Sequence, residues 1–98
     1  MHRPLPAKIK TAIRKLIEER SAPLAVERFE IRIGDNSDGE ETIFVDAWHP
    51  LTPTPIDVRM LIEIQSEVRK LVLASGDDRL PHVWQHFAED QEIATATL

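Results

Sequence analysis

The chain of 98 residues has the length of one small domain, because chains of this size do not divide into separate hydrophobic cores. Apolar residues make up 42% and charged residues 30%, which is close to the average of folded globular domains and excludes wholesale disorder. The lack of cysteine excludes disulfide scaffolds, thiol catalysis and cysteine-ligated metal sites. It also favours a reducing compartment. No apolar run approaches the ~18 residues that span a bilayer and the start of the chain lacks a signal-peptide pattern, so we expect a cytoplasmic protein with no membrane contact.

Charge is distributed unevenly along the chain. Residues 1–32 carry eight Lys or Arg against four Glu, a net charge of +4, whereas residues 33–98 carry four basic and thirteen acidic residues, a net charge of −9. Three arrangements explain such asymmetry: the two ends face each other within the fold, they meet in a head-to-tail oligomer, or the basic end contacts an external anion. A solvated helix face is the simplest interpretation of the basic end.

The first half of the chain predicts a helix followed by a β-hairpin. Apolar residues recur at helical spacing after Pro6, which predicts a helix over residues 6–20. Alternating apolar and charged residues then predict a strand at about 25–33, and the turn-forming residues 34–39 predict a long hairpin loop. The second strand, at about 41–48, is apolar on both faces, because Phe44 and Trp48 share one face and Ile43, Val45 and Ala47 share the other.

The second half predicts a crossover to a third strand. Three prolines make residues 49–55 a stiff linker, and a helix over about 55–75 follows, with Thr54 as its N-cap and Gly76 at its end. Aromatic and β-branched residues predict a strand at about 82–87. We expect a single domain over residues 1–92 and a flexible tail over 93–98.

The element order predicts an α+β fold. The order α-β-β-α-β, with a helix between the second and third strands, favours a two-layer sandwich with a three-stranded sheet and two helices on one face. The other sheet face is then open, and Phe44 and Trp48 are exposed on it unless a second subunit, a ligand or the tail covers them. Together with Trp84 of the third strand, they are the predicted interaction residues.

The sequence contains no recognisable catalytic or cofactor motif. No serine stands in a nucleophile elbow, and the three glycines form neither a dinucleotide fingerprint nor a phosphate loop, so we expect a non-catalytic protein without a cofactor. His82 and His86 have the spacing at which two imidazoles on a helix share a metal ion, with Asp90 continuing the series. On a strand they would instead share one face with Trp84, and this structural interpretation is favoured.

The closing segment resembles that of a known RNA-associated family. A basic first helix, two strands, a long helix and then Arg79-Leu80-Pro81-His82-Val83-Trp84-Gln85-His86-Phe87-Ala88-Glu89-Asp90 resemble ribosome-binding factor A. The resemblance implies a type II KH-like fold and an association with RNA or the ribosome. The chain departs from that family at Ala74-Ser75-Gly76, which ends the second helix with no room for a further one. The element order is also similar to the small cytoplasmic domain of cation-efflux transporters.

Three functional hypotheses follow, in order of preference. The first is a cytosolic interaction module that self-associates or binds a protein through the open sheet face, with the acidic surface of the second helix (Asp57, Glu63, Glu67) as a further contact. The second is a KH-like RNA- or ribosome-associated factor whose basic residues contact phosphates; these are Lys8, Lys10, Arg14, Lys15, Arg28 and Arg32. The third is a metal site at His82 and His86. The acidic balance gives no reason to expect DNA binding.

Overall fold

The computed structural model describes residues 2–22 and 24–94. Its two helices and five strands follow the predicted order, with two short strands added, and the fold is α+β as expected. In chain order the elements are α1 (Ala7–Ser21), β1 (Arg28–Asp35), β2 (Glu41–Trp48), β3 (Ile56–Asp57), α2 (Val58–Ala74), β4 (Leu80–His86) and β5 (Ile93–Ala94). No helix in this part of the chain is long and apolar enough to cross a membrane.

The main sheet has the order β1-β2-β4, so β2 is its central strand. β1 pairs with β2 in antiparallel orientation, and β4 pairs with β2 in parallel orientation across the α2 crossover. Ile43, Val45 and Ala47 of β2 are completely buried in one core with apolar residues of both helices. Both helices therefore pack on one face of a three-stranded sheet, which confirms the predicted two-layer architecture.

The start of α2 differs from the start predicted by the local sequence, because the residues before it pair with a distant segment. Ile56 and Asp57 pair with Ile93 and Ala94 as a two-stranded parallel sheet, so α2 begins at Val58 rather than at residue 55. Asp57, rather than Thr54, is the N-cap, and its Oδ1 accepts a hydrogen bond from the backbone N–H of Arg59 at 2.9 Å. The first two residues of the predicted tail are thus strand, and the rest of that tail lies outside the described residues.

The basic N-terminal segment contacts the acidic end of the sheet. His2 Nε2 lies 3.0 Å from Asp35 Oδ1, and the backbone N–H of Arg3 donates to Glu41 Oε1 at 2.9 Å. The Arg3 guanidinium also donates to Asp78 at 3.3 Å. Part of the charge asymmetry is therefore resolved within the fold, as the first of the three predicted arrangements requires.

Arg79 is buried beneath this contact, with 6% of its surface exposed. Its Nε donates to both carboxylate oxygens of Asp77, at 2.9 and 3.1 Å, and its Nη1 donates to the backbone carbonyl of Arg3. The hydrogen bonds from Arg79 are the main cause that lowers the pKa of Asp77, and Asp77 in turn raises the pKa of Arg79. This ion pair ties the N-terminal segment to the loop before β4.

Candidate interaction surface

The sheet face that points away from the helices forms a grid of three rows, which we name the sheet face. Because the odd-numbered residues of β2 are buried against the helices, the even-numbered residues and their partners on β1 and β4 point to the other side. The strand register aligns them across the sheet. The rows are Arg28–Trp48–His86 (first row), Glu30–Asp46–Trp84 (middle row) and Arg32–Phe44–His82 (third row).

The first row is a continuous stack of planar groups. The guanidinium carbon of Arg28 lies 4.6 Å from the centroid of the Trp48 ring, and the Trp48 and His86 rings stack with centroids 4.7 Å apart. This separation matches the ~4.8 Å spacing between strands, so the indole stands upright with both of its faces covered. Glu30 accepts a hydrogen bond from Arg28 at 2.8 Å, and Asp46 Oδ1 lies 2.7 Å from His86 Nε2. The polar groups of the first row are therefore engaged by carboxylates of the middle row.

The third row also places an aromatic ring between an arginine and a histidine, but the carboxylates of the middle row bond to the first row instead. The guanidinium carbon of Arg32 lies 4.3 Å from the Phe44 centroid, and His82 approaches the other side of that ring edge-on at 6.5 Å. A Cβ at Gly34 would lie 3.3 Å from Phe44 Cε2, so the glycine leaves room for the ring. No carboxylate of residues 2–22 or 24–94 lies within 4.0 Å of the Arg32 guanidinium. Its donors are turned to solvent.

Among the apolar rings of the sheet face, Trp84 is the most exposed, with 58% of its surface accessible. Phe44 and Trp48 are only half-buried on the same face, because the arginines and histidines beside them cover much of each ring. The expectation that His82, Trp84 and His86 share one strand face is confirmed. Of the three predicted interaction residues, Trp84 thus offers the largest free apolar surface.

The six predicted cationic residues do not form one patch. Lys8, Lys10, Arg14 and Lys15 lie on α1, on the side of the sheet opposite Arg28 and Arg32. Three of the six also have a carboxylate beside them in the chain. The pairs are Arg14–Glu18 at 2.7 Å, Lys15–Glu19 at 4.0 Å and Arg28–Glu30 at 2.8 Å.

The two histidines of β4 are too far apart to share a metal ion. His82 and His86 are four residues apart on a strand, which separates their Cα atoms by about 13 Å. Within the described residues no group of three His, Asp or Glu side chains is placed to hold a metal. In the same part of the chain no hydroxyl side chain hydrogen-bonds to His86, so the His86–Asp46 pair has no adjacent nucleophile.

A side chain of α2 occupies the outer edge of β4. Gln65 donates from Nε2 to the carbonyl of Pro81 at 2.8 Å and accepts from the backbone N–H of Val83 at 2.9 Å through Oε1. A neighbouring strand would use these same two backbone groups. The edge of β4 is therefore closed at this point, and contacts there have to be made by side chains.

Exposed apolar side chains are concentrated on α2 and β4. Four of the six large apolar side chains that the described residues expose lie on these two elements: Ile62, Leu73, Leu80 and Trp84. Ile62 and Leu80 line a groove between the helix and the strand, together with Trp84. Sequence analysis missed Ile62 and Leu73. The available signal was that both fall outside the buried stripe of α2, eleven residues apart on one line of the helix.

Comparisons with known proteins find no relative for this chain. No protein-family model matches it, and neither the curated proteins nor the solved structures contain a match. The resemblance to ribosome-binding factor A stays a prediction.

Proposed function

We propose that this protein is a non-catalytic protein-interaction module that binds a protein partner on the sheet face. One observation carries the proposal: Trp84, in the middle row of a face that neither helix covers, is 58% exposed on the edge strand β4. Tryptophan rings that stay exposed on a rigid, ordered surface are frequent anchors of protein interfaces, because burying them removes a large apolar area from water.

The charges of the sheet face suggest the chemistry of the partner. Both acidic residues of the face are already engaged, Glu30 by Arg28 and Asp46 by His86. Arg32 keeps its donors free one row and two strands away from Trp84, at the other side of the sheet face. A partner segment that places an apolar side chain on Trp84 and a carboxylate near Arg32 would satisfy both groups.

RNA is the less favoured partner for this surface. Proteins that bind single-stranded RNA on a sheet stack bases on open ring faces, whereas Arg28 and His86 cover both faces of Trp48. The cations of α1 lie on the other side of the sheet and do not flank the rings. A KH-like, RNA-associated role is therefore the alternative that the capture experiment below distinguishes by nuclease treatment.

The test is affinity capture from a lysate of the source organism with three tagged proteins: the wild type, Trp84→Ala and Ile93→Ala. Ile93 is the matched control, because it is an exposed apolar residue of β5, in the second sheet and outside the sheet face. We expect a protein that the wild type and Ile93→Ala retain, even after nuclease treatment, and that Trp84→Ala loses. Equal capture by all three proteins would contradict the proposal, and capture abolished by nuclease would favour the RNA role.

A further inference from the structure

The solvent side of α2 carries a narrow row of residues, which we name the outer stripe: Ile62, Ser66, Arg69 and Leu73. At ~100° per residue these four positions fall within an arc of about 60° on the helix, and the middle of this arc lies about 130° around the helix from the middle of the buried residues Ile64, Val68 and Val72. Ile62 and Leu73 are 64% and 53% exposed. Two large apolar side chains thus stand at the ends of the stripe, about 16 Å apart along the axis at ~1.5 Å per residue, with Ser66 leaving space between them.

The outer stripe is complementary to itself in antiparallel orientation. Ile62 and Leu73 are equally distant from the point between Glu67 and Val68, and the same holds for Ser66 and Arg69. A twofold axis through that point places Ile62 of each copy level with Leu73 of the other copy, so that the dimer contains two equivalent Ile62–Leu73 contacts. Such a contact is closed, because each copy contributes the same surface.

The charges beside the outer stripe fit the same arrangement. Glu63 and Lys70 lie on the same flank of the stripe, and equal flanks meet when two helices pack antiparallel. In the register given above, Glu63 lies within about 3 Å of the level of Lys70 of the second copy. Neither side chain has an ion-pair partner within 4.0 Å among residues 2–22 and 24–94, although Arg59 is one turn before Glu63. Two ion pairs between copies would therefore form.

We propose that a second copy of this chain docks on the outer stripe of α2 and forms an antiparallel α2–α2 dimer. Strand addition is the alternative contact at this side of the molecule, and Gln65 closes the edge of β4 against it. The outer stripe shares no residue with the sheet face, although Ile62, Ser66 and Arg69 line one groove with His82 and Trp84. The dimer goes beyond the proposed function, and variants at Glu63, Lys70 and Leu73, which do not line that groove, test it separately.

The register of the dimer can be read from disulfide cross-linking, because the chain has no cysteine of its own. Ile62→Cys and Leu73→Cys are prepared as separate proteins, oxidised alone and as an equal mixture, and run on a non-reducing gel. In the antiparallel register, equal thiols lie about 16 Å apart, beyond the reach of a disulfide, whereas unlike thiols are level. We expect a cross-linked dimer in the mixture alone. Cross-linking of either protein alone, or of none, would overturn the proposal.

Sedimentation equilibrium tests the contact energetically. We expect Glu63→Lys to weaken the dimer about tenfold, because both ion pairs become repulsive, and the double variant Glu63→Lys/Lys70→Glu to restore it. Both sites are exposed, so we expect helix content measured by circular dichroism to be unchanged in these variants. Ile62→Glu should abolish the dimer, whereas Leu51→Glu, at 60% exposure, should not.

Three results would count against the α2 dimer. One is a wild type that is monomeric up to millimolar concentration. Another is a double variant that fails to recover the affinity lost in Glu63→Lys. The last is a dimer that Trp48→Glu, rather than Ile62→Glu, dissociates, because self-association would then use the sheet face.

Discussion

Three arginines of this small domain are held in two different ways. Arg79 is buried, and its donors are directed at Asp77 and at the carbonyl of Arg3. Arg28 and Arg32 lie on the sheet face with their guanidinium planes over aromatic rings. The buried guanidinium has partners within the chain, whereas those on the sheet face are held mainly by their flat faces.

The difference separates residues that stabilise the fold from residues that can bind a partner. A guanidinium with fixed acceptors loses those bonds if it turns to another molecule. A guanidinium stacked on a ring keeps its orientation while its N–H groups remain at the edge, where a carboxylate can reach them. Arg32 meets this condition fully and Arg28 only in part, because Glu30 already accepts one of its hydrogen bonds.

The largest effect should follow the loss of the buried guanidinium. Arg79→Met leaves Asp77 without its main partner in a poorly solvated site and should lower the free energy of unfolding by about 3 kcal/mol. Arg28→Met removes an exposed pair and should cost less than ~1 kcal/mol. Urea denaturation of both variants measures the difference. Equal losses would mean that burial does not distinguish the two arginines.

The Asp77–Arg79 pair should also make stability depend on acid. The hydrogen bonds that Asp77 accepts from Arg79 are the main reason that its folded-state pKa lies below the ordinary value of 3.8. The carboxylate therefore stabilises the fold at pH above about 3.8, and this contribution is lost as pH falls through the lowered folded-state value. Asp77→Asn should lose stability relative to the wild type at neutral pH, with a gap that narrows in acid. A gap that is independent of pH would show that the charge of Asp77 is irrelevant.

The two tryptophans of the sheet face should behave differently. Trp48→Ala removes a ring stacked between Arg28 and His86 and should cost about 2 kcal/mol of unfolding free energy. Trp84→Ala removes a ring that is 58% exposed and should cost less than ~1 kcal/mol while abolishing partner capture. Thermal unfolding and capture on the same preparations separate the two roles. A larger loss of unfolding free energy for Trp84→Ala than for Trp48→Ala would show that the Trp84 ring mainly stabilises the fold.

The smallest effect on stability is expected at Arg32. A substitution there therefore tests the contribution of its charge to binding without a change in the fold. Arg32→Gln and Arg28→Gln should each change the free energy of unfolding by ~0.5 kcal/mol or less. Capture of the partner should fall several-fold for Arg32→Gln and little for Arg28→Gln, because only Arg28 has a carboxylate of its own. Quantitative capture at rising salt provides the measurement. Equal losses of capture in the two variants would contradict the proposal that the partner places a carboxylate near Arg32.

Local patterns were sufficient for the main elements of the fold. The bounds predicted for β2 agree with the structure, because its apolar residues, the turn residues before it and the prolines after it are all close in sequence. The bounds predicted for α1, 6–20, differ from the observed helix by one residue at each end. β3 and β5 could not be predicted, because each is two residues long and depends on a partner more than thirty residues away.

The grid of the sheet face depends on information that no single segment contains. Phe44 and Trp48 were predicted to share a face, but their covering groups come from β1 and β4. The order and register of those strands require the parallel pairing of β2 with β4 across α2. Arg79 was missed for the same reason, because the sequence Asp77-Asp78-Arg79 is typical of a solvated loop and its burial depends on the distant N-terminal segment.

The amide of Gln65 has a consequence for how this protein behaves at high concentration. An open strand edge is a template on which further chains can pair and grow into aggregates. By bonding to Pro81 and Val83, Gln65 caps the edge of β4 as a single peptide unit of a neighbouring strand would, without supplying a strand. One side chain on a helix thereby blocks strand addition at this point of the β4 edge and still leaves the aromatic face beside it accessible.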